Sequence, residues 1–308
     1  MARALKIARV VVSVAVFLLL VAGLSSAMWF IPGVESLLCG VQLGPAVLGM
    51  SLTVIALWVL ITLVFGRIYC STVCPMGTLM DVSARAKNLT SKGRKRKYHY
   101  ENPNTSFRLL FLLTAILGAL DGFIILPSVL EPFNAFCRIC AGVFNPLLGF
   151  ISGGLAEIGV NSQYVAMAVT SSVASSIIAL ALFVVVFVVS MLFGRAICNI
   201  MCPVGTILGM VSRYSIFQFD IDTDLCTQCR SCEQVCKSCC IDMKDLVVDG
   251  SRCVVCFNCI NVCPNSAIRY TASRKRLATP LMQRIKNLEQ QAEPSLDSVD
   301  TISKKLKK

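Results

Sequence analysis

Histidine is almost absent from this sequence: His99 is the only one among 308 residues. A membrane electron carrier built on b-type haem needs several histidines as axial ligands, so we expect no haem bound within the chain. The sequence also contains no P-loop, no dinucleotide-binding glycine fingerprint and no Ser/His/Asp set for nucleophilic catalysis. We therefore expect no bound nucleotide and no catalytic residue, so that flavin, NAD or substrate chemistry would belong to partner proteins.

Charged residues are scarce as well, at 15% of the sequence, while 56% of the residues are hydrophobic. The mean hydropathy of +0.72 exceeds what a soluble domain needs, so the composition predicts an α-helical membrane protein. Four apolar stretches are long enough to cross a bilayer as helices: residues 10–30, 46–65, 107–126 and 165–193. The basic start of the first stretch also fits a signal peptide.

The positive charges predict the orientation of these spans. The formal net charge is +12, and nine Lys or Arg residues lie between Gly66 and Arg108. In the segments 31–45 and 127–164 the only Lys or Arg residue is Arg138. Because cytoplasmic loops carry the excess of Lys and Arg, we expect a multi-pass protein of the cytoplasmic membrane with both termini in the cytoplasm. The topology explains the basic loop, so we expect no nucleic-acid partner.

The cysteines between Cys226 and Cys263 form two runs of the pattern Cys-x2-Cys-x2-Cys-x3-Cys. This pattern is typical of paired [4Fe–4S] clusters, in which the fourth cysteine of each run ligates the other cluster. Zinc ribbons instead have two Cys pairs separated by a longer gap. The spacing assigns Cys226, Cys229, Cys232 and Cys263 to cluster 1, and Cys253, Cys256, Cys259 and Cys236 to cluster 2.

The first run departs from the usual pattern after its fourth cysteine. Lys237 follows Cys236, whereas Pro264 follows the corresponding Cys263. Cys239 and Cys240 then stand where the second run has Ser266 and Ala267. We expect Cys239 and Cys240 to be buried thiols. The alternatives are that one of them replaces Cys236 as a cluster ligand or ligates a modified cluster.

A second motif is repeated at the ends of two predicted spans. It reads Gly66-Arg67-x-x-Cys70-x3-Cys74-Pro75, and again Gly194-Arg195-x-x-Cys198-x3-Cys202-Pro203. Both copies follow a span of the same direction, which predicts two parallel repeats and favours retention of the first span. Brought together by the repeat, Cys70, Cys74, Cys198 and Cys202 would supply four thiolates for a third iron–sulfur cluster. Structural cysteines, transient disulfides and a copper or zinc site are the alternatives.

Three further cysteines, Cys39, Cys137 and Cys140, fall in the segments predicted to face outward. Three thiols do not complete an all-cysteine cluster, so a fourth metal centre there would need a non-cysteine ligand. A disulfide or a metal-handling pair is an equal alternative.

The chain thus divides into three predicted regions. Residues 1–215 form a four-span membrane domain, residues 216–270 an α+β bacterial-type 2[4Fe–4S] ferredoxin domain, and residues 271–308 a basic polar tail.

The repeated Gly-Arg-x-x-Cys-x3-Cys-Pro motif, the four spans and the double-cluster module together resemble the NapH/MauN-type membrane polyferredoxins. The resemblance covers residues 4 to 270 and extends to the related NosR-type and copper-reductase polyferredoxins. It implies an electron-transfer subunit, such as a quinol dehydrogenase component, that passes electrons between membrane quinol or a cytoplasmic donor and a partner redox protein. The alternative is an assembly protein whose cysteine pairs reduce or deliver copper.

Overall fold

The computed structural model describes residues 2–24, 39–49, 51–90, 98–120, 131–147, 173–223 and 225–272. In the first half of the apolar N-terminal region the helices are α1 Ala2–Leu24, α2 Leu43–Leu48, α3 Leu52–Phe65, α4 Tyr69–Thr72 and α5 Pro75–Thr90. In the second half they are α6 Thr105–Leu120, α7 Pro132–Ile139 with the π-helical turn Cys140–Phe144, α8 Val173–Phe193, α9 Ala196–Ile200 and α10 Pro203–Ser212.

Within the described residues, two helices are long and apolar enough to cross a membrane, Arg3–Leu24 and Ser175–Phe193. Shorter apolar helices cover Leu52–Phe65, Thr105–Gly118 and Pro203–Ser212. Parts of the predicted spans, residues 25–30, 121–126 and 165–172, lie outside the described residues, as does most of the tail.

The predicted span 46–65 is not one helix. Helix α2 ends at Leu48 with Gly49 as its C-cap, and α3 begins at Leu52. The 14 residues of α3 rise about 21 Å, which is less than the roughly 30 Å hydrocarbon core of a bilayer. Uniform hydrophobicity predicts a continuous span, but it does not detect a break of this kind.

Helices from both halves share one buried core. Helix α5 packs against α8 and α7, and α1 packs against α4 and α5. Phe136 and Ile139 on α7, Met80 on α5 and Leu20 on α1 are almost fully buried there. The opposite faces of α1, α3, α6 and α8 expose large apolar side chains, including Val11, Leu60, Leu113 and Val185.

The C-terminal region is a small α+β module. Its elements are β1 Gln218–Ile221, α11 Ser231–Gln234, β2 Ile241–Asp242, β3 Val247–Val248, α12 Asn258–Val262 and β4 Ile268–Thr271. Strand β1 pairs antiparallel with β4, from Gln218 opposite Thr271 to Ile221 opposite Ile268, and β2 pairs antiparallel with β3. The β1–β4 pair joins the two ends of the module.

Backbone and aromatic contacts attach this module to the end of α3. The amides of Ile216 and Phe217 donate to the carbonyls of Leu63 and Val64, at 2.8 and 2.9 Å. The Tyr270 hydroxyl donates to the Phe65 carbonyl at 2.8 Å, and the rings of Phe65 and Phe217 stack at 5.8 Å. The cysteine runs are thereby held next to the repeated Gly-Arg-x-x-Cys-x3-Cys-Pro motif.

Candidate iron–sulfur centres

One cavity in the C-terminal module is lined by four cysteines: Cys226, Cys229, Cys232 and Cys263. These are the residues that the spacing assigns to cluster 1. The cavity encloses about 290 Å³ and opens to solvent, with Cys229 exposed at its edge. Hydrogen bonds from Ser231 lower the pKa of the Cys229 thiol, which favours the thiolate form needed for iron binding.

A second cavity of about 310 Å³ is lined by Cys236, Cys253, Cys256 and Cys259. These are the residues assigned to cluster 2, so each cavity takes three cysteines from one run and the fourth from the other. A fifth cysteine, Cys240, also lines this cavity. Cys239 lies instead in a separate pocket beside Lys237 and Arg252.

The two cysteine runs share an unusual backbone. Residues with positive φ recur at matching positions: Gln228 and Val255, Arg230 and Phe257, Cys239 and Ser266. For residues other than glycine this conformation is uncommon, and it concentrates at functional sites. Left-handed residues within a run turn successive backbone amides toward one side, which makes an anion-binding concavity. A cluster with four thiolates carries negative charge and suits such a concavity.

The four cysteines of the repeated motif also come together. Cys70 lies in α4 and Cys198 in α9, while Cys74 and Cys202 directly precede the prolines that begin α5 and α10. All four are buried. Burial raises the pKa of Cys202, and the neighbouring thiols Cys198, Cys70 and Cys74 raise it further. The loops of the two halves therefore face each other across one small volume.

The two motif arginines cross between the halves. Arg67, with 0% exposure, donates from Nη2 to the Cys198 carbonyl at 3.3 Å and lies 3.9 Å from the Cys70 sulfur. Arg195 donates in the reverse direction, to the carbonyl of Cys70. Each guanidinium thus holds the cysteine loop of the opposite half. Both cations lie near the four thiols, where they would compensate the charge of a bound cluster.

The two arginines differ in their acidic partners. Arg195 donates from Nε to Asp81 Oδ1 at 3.0 Å. Arg67 donates to neutral groups, the Asn199 side chain at 3.1 Å and the Ser251 carbonyl at 2.9 Å. In the part of the chain that the structure describes, no carboxylate forms an ion pair with Arg67. Its charge is therefore available to the thiolates.

Asp81 joins three regions of the chain and was not singled out from the sequence. It forms ion pairs with Arg9 of α1, with Arg195 at 3.0 Å and with Lys237 of the C-terminal module at 3.2 Å. Burial alone would raise the pKa of Asp81, but Arg195, Lys237 and Arg9 hold it well below its usual range. Lys237, which replaces the usual proline, therefore attaches the first cysteine run to the apolar N-terminal region.

The third set of cysteines lies in the same buried core. Cys140 belongs to the cluster of buried residues that contains Cys70, Cys74 and Cys198, and Cys39 and Cys137 pack against it. The charge pattern predicts these cysteines on the outer side, opposite the repeated motif. The structure brings them toward the motif because α7 is apolar on one face and packs against α5.

Glu131 is the acidic neighbour of this third set. It caps α7 by accepting hydrogen bonds from the amides of Phe133 and Asn134. Burial raises its pKa, and a Cβ atom at Gly44 would overlap its carboxylate. Burial also raises the pKa of Cys137 to about 12, with further contributions from Cys39 and Glu131. Glu131, Cys39 and Cys140 therefore all lie near Cys137.

The donor sets agree with clusters better than with single ions. Neither module cavity has a histidine or a carboxylate among its lining residues, and all-thiol sets are typical of [4Fe–4S] clusters. Among the described residues, no three His, Cys, Asp or Glu side chains converge closely enough to hold a single metal ion. The four thiolates of a [4Fe–4S] cluster are further apart than those of a zinc site, because they bind four different iron atoms. In a zinc site all four bind one ion at about 2.3 Å.

Comparison with known proteins identifies the repeated segments. A family model described as a 4Fe-4S binding domain matches residues 47–97 and again residues 176–222. The first match contains Cys70 and Cys74, and the second contains Cys198 and Cys202. The chain therefore carries 4Fe-4S binding-domain sequence in its apolar part, outside the two cysteine runs of the C-terminal module.

Three curated relatives share parts of the chain. An uncharacterized protein of Methanocaldococcus jannaschii is 35% identical over 25% of this chain and 31% of its own length. The methylamine utilization ferredoxin-type protein MauN of Paracoccus denitrificans is 28% identical over 64% of this chain and 57% of its own length. The putative electron transport protein YccM of Escherichia coli is 21% identical over 71% of this chain and 55% of its own length.

The chain thus spans about a third of the first relative and somewhat more than half of the other two. No solved structure matches the chain. Together, the family model and these relatives support an iron–sulfur, ferredoxin-type family.

Proposed function

We propose that this protein is a membrane-bound iron–sulfur electron-transfer subunit. It would relay electrons in single steps between the quinone pool, or a cytoplasmic donor, and a partner redox protein. The observation that carries the proposal is the crossed lining of the two module cavities, each with three cysteines from one run and one from the other. The printed names of MauN and YccM, a ferredoxin-type protein and a putative electron transport protein, support the same role.

The order of the centres supports a relay. The cluster 1 cavity is open to solvent at Cys229. In the cluster 2 cavity Cys236 and Cys259 are buried, and the lining residues Val254 and Cys256 pack into the core that holds Cys70 and Cys198. Electrons would therefore enter or leave at cluster 1 and pass through cluster 2 to the membrane region. Since the hydrocarbon core is about 30 Å thick, intermediate centres are needed to divide the distance into short steps.

The residues of the chain have three roles in this proposal. The eight module cysteines would hold two [4Fe–4S] clusters, which supply one-electron chemistry when bound. Cys70, Cys74, Cys198 and Cys202 would hold a third cluster, and Arg67 and Arg195 would balance its charge. Cys39, Cys137 and Cys140, with Glu131 beside them, are the residues available for a fourth metal centre.

The proposal includes a membrane topology. Four spans in two parallel repeats would place both termini and the C-terminal module in the cytoplasm. Exposed apolar side chains on α1, α3, α6 and α8 support a lipid-facing surface, because soluble proteins rarely expose large contiguous apolar patches. The two helices that are long enough to span support the same conclusion.

Metal analysis of the anaerobically purified full-length protein tests this function. Three cubane clusters predict about twelve iron and twelve sulfide per chain, and about sixteen iron would assign a fourth cubane to the third cysteine set. About eight iron together with bound copper would instead support the metal-handling alternative. Absence of iron from protein that remains folded would contradict the electron-transfer function.

A further inference from the structure

Cys240 is the fifth cysteine in the cluster 2 cavity, and it corresponds to Ala267 in the cluster 1 cavity. The two runs repeat at an interval of 27 positions, so Cys236 corresponds to Cys263 and Cys240 corresponds to Ala267. The residues that precede this position, Cys239 and Ser266, both have positive φ, at 49° and 51°. The two sites thus share a backbone and differ by one sulfur atom at this position.

At Ala267 the structure shows what this position does in the cluster 1 site. The Ala267 amide donates to the sulfur of Cys263, the ligand contributed by the other run, at 3.3 Å. Ala267 is 2% exposed and lines the cavity. The backbone at this position therefore supports a ligand sulfur, while the side chain lies against the cluster cavity.

Cys240 occupies the corresponding position in the cluster 2 site and adds a thiol. Its side chain, 1% exposed, lines the cluster 2 cavity. The sulfur atoms of Cys236 and Cys240 are 3.5 Å apart, within hydrogen-bond reach for sulfur. The thiol therefore lies beside a ligand sulfur.

Chemistry decides which sulfur donates. Four cysteines complete the ligand set of a cubane cluster, so Cys240 is not required for ligation. A cluster-bound cysteine is a thiolate and carries no proton. In the Cys236–Cys240 pair, only Cys240 can then donate, as an S–H···S hydrogen bond.

Such a bond affects the cluster's reduction potential. Reduction adds negative charge to the cluster, and hydrogen bonds to its sulfurs stabilise that charge and raise the potential. Burial acts in the opposite direction, because it removes the water that would stabilise the reduced state. The cluster 2 ligands Cys236 and Cys259 are buried, whereas Cys229 of cluster 1 is exposed. Burial by itself would therefore give cluster 2 a lower potential than cluster 1, and a hydrogen bond from Cys240 would offset part of that difference.

We propose that Cys240 is a positioning residue of cluster 2, whose thiol donates a hydrogen bond to the ligand Cys236 and raises the potential of this cluster. The proposal rests on the electron-transfer function above. It assigns to Cys240 a role distinct from both ligation and simple core packing.

The test is an EPR-monitored redox titration of the full-length protein carrying Cys240→Ala. This change gives cluster 2 the side chain that cluster 1 has at Ala267. We expect unchanged iron content, an unchanged cluster 1 potential and a more negative cluster 2 potential. The expected change is about tenfold in the equilibrium for electron transfer between the clusters, which for one electron is about 59 mV. A Cys226→Ser background, from which cluster 1 is lost, identifies the cluster 2 signal.

Two further variants separate the hydrogen bond from general effects. Cys240→Ser keeps a donor at the same place, so the cluster 2 potential should return toward the wild-type value. Cys239→Ala removes the adjacent thiol, which lies in another pocket, and should change neither potential. Electron–nuclear double resonance on samples in H2O and D2O should also show that, among the exchangeable protons near reduced cluster 2, one is lost in Cys240→Ala.

The proposal is overturned if Cys240→Ala keeps all its iron and both potentials. Loss of about four iron atoms in Cys240→Ala would overturn it in another way, because Cys240 would then be a ligand. Wild-type protein that lacks iron in the module would instead contradict the proposed function.

Discussion

At the scale of single residues, Asp81 is the group on which most of the buried charge converges. One carboxylate, 8% exposed, is paired with Arg9, Arg195 and Lys237, which come from three separate regions of the chain. Removing one partner of a buried ion pair is strongly destabilising, because it leaves uncompensated charge in the interior. Here three cations would lose their common partner.

Replacing Asp81 with Asn should therefore reduce stability without removing any cluster ligand. We expect a loss of about 3–5 kcal/mol in unfolding free energy, measured as a lower apparent melting temperature of the iron-loaded protein in detergent. Asp245→Asn is the matched control: Asp245 is exposed in the C-terminal module, and its change should stay within about 0.5 kcal/mol. Equal melting temperatures for the two variants would show that the three ion pairs contribute little.

Residue types with fixed spacing could be predicted from the sequence, and residues defined by distant contacts could not. The Cys-x2-Cys-x2-Cys-x3-Cys runs predict two groups of four cysteines, and the members of each group line one cavity, with Cys240 as a fifth cysteine in the second. Nothing near Asp81 predicts its role, because its partners lie 72, 114 and 156 positions away. The sequence shows that Lys237 departs from the usual pattern, but it does not show why. The reason is the ion pair of Lys237 with Asp81 on α5.

At the scale of elements, the junctions after the spans determine how the module attaches. Gly194, at the end of α8, has a φ of +65°. A Cβ atom there would lie 2.5 Å from the carbonyl oxygen of Lys237. The same carbonyl accepts a hydrogen bond from the amide of Arg195 at 3.0 Å. Both the backbone conformation and the close approach of the module therefore require glycine.

Gly194→Ala should loosen the contact between module and membrane region. We expect the free energy of unfolding to fall by about 1–3 kcal/mol, because residues with a side chain rarely adopt this backbone conformation. The cluster 1 signal should remain, while proteolysis between residues 213 and 217 becomes faster. Gly40→Ala is the control, since nothing lies within 4 Å of a Cβ atom there. Equal proteolysis of the two variants would argue against this attachment.

Helices were predicted more reliably than their packing. Apolar runs indicate α1, α3, α6 and α8, whereas α5 and α10, which begin at the prolines after Cys74 and Cys202, were not predicted. The break between α2 and α3 was missed because Gly49 and Ser51 leave the segment apolar overall. The position of α7 was not predicted, because the count of charged residues treats 127–164 as an outer loop. In the structure the apolar face of α7 packs against α5.

At the scale of the whole molecule, the proposed topology places the C-terminal module on the cytoplasmic side of the membrane and residues 127–164 on the outer side. A reporter fused after residue 272 and one inserted between residues 152 and 160 distinguish the sides. Alkaline phosphatase, which is active only outside the cytoplasm, should be active at the internal site and inactive at the C-terminal site. Activity at the C-terminal site would contradict four spans with cytoplasmic termini.

The molecule also forms one continuous arrangement of cysteine sites. The module cavities adjoin the motif cysteines through Val254 and Cys256, and the third cysteine set belongs to the same core. Composition and spacing predict a membrane domain and a ferredoxin module as separate regions. They do not predict that the motif arginines, Asp81 and Lys237 fasten these regions together, because that requires the tertiary structure.

The most direct test of the account is the iron content of a full-length variant carrying both Cys74→Ala and Cys202→Ala. The account predicts a fall from about twelve to about eight iron atoms per chain, with both module clusters retaining their EPR signals. Cys239→Ala, which removes a cysteine outside the assigned sites, should keep the wild-type iron content. If the double variant keeps all its iron, the repeated motif does not hold a cluster and the proposed relay through the membrane region is wrong.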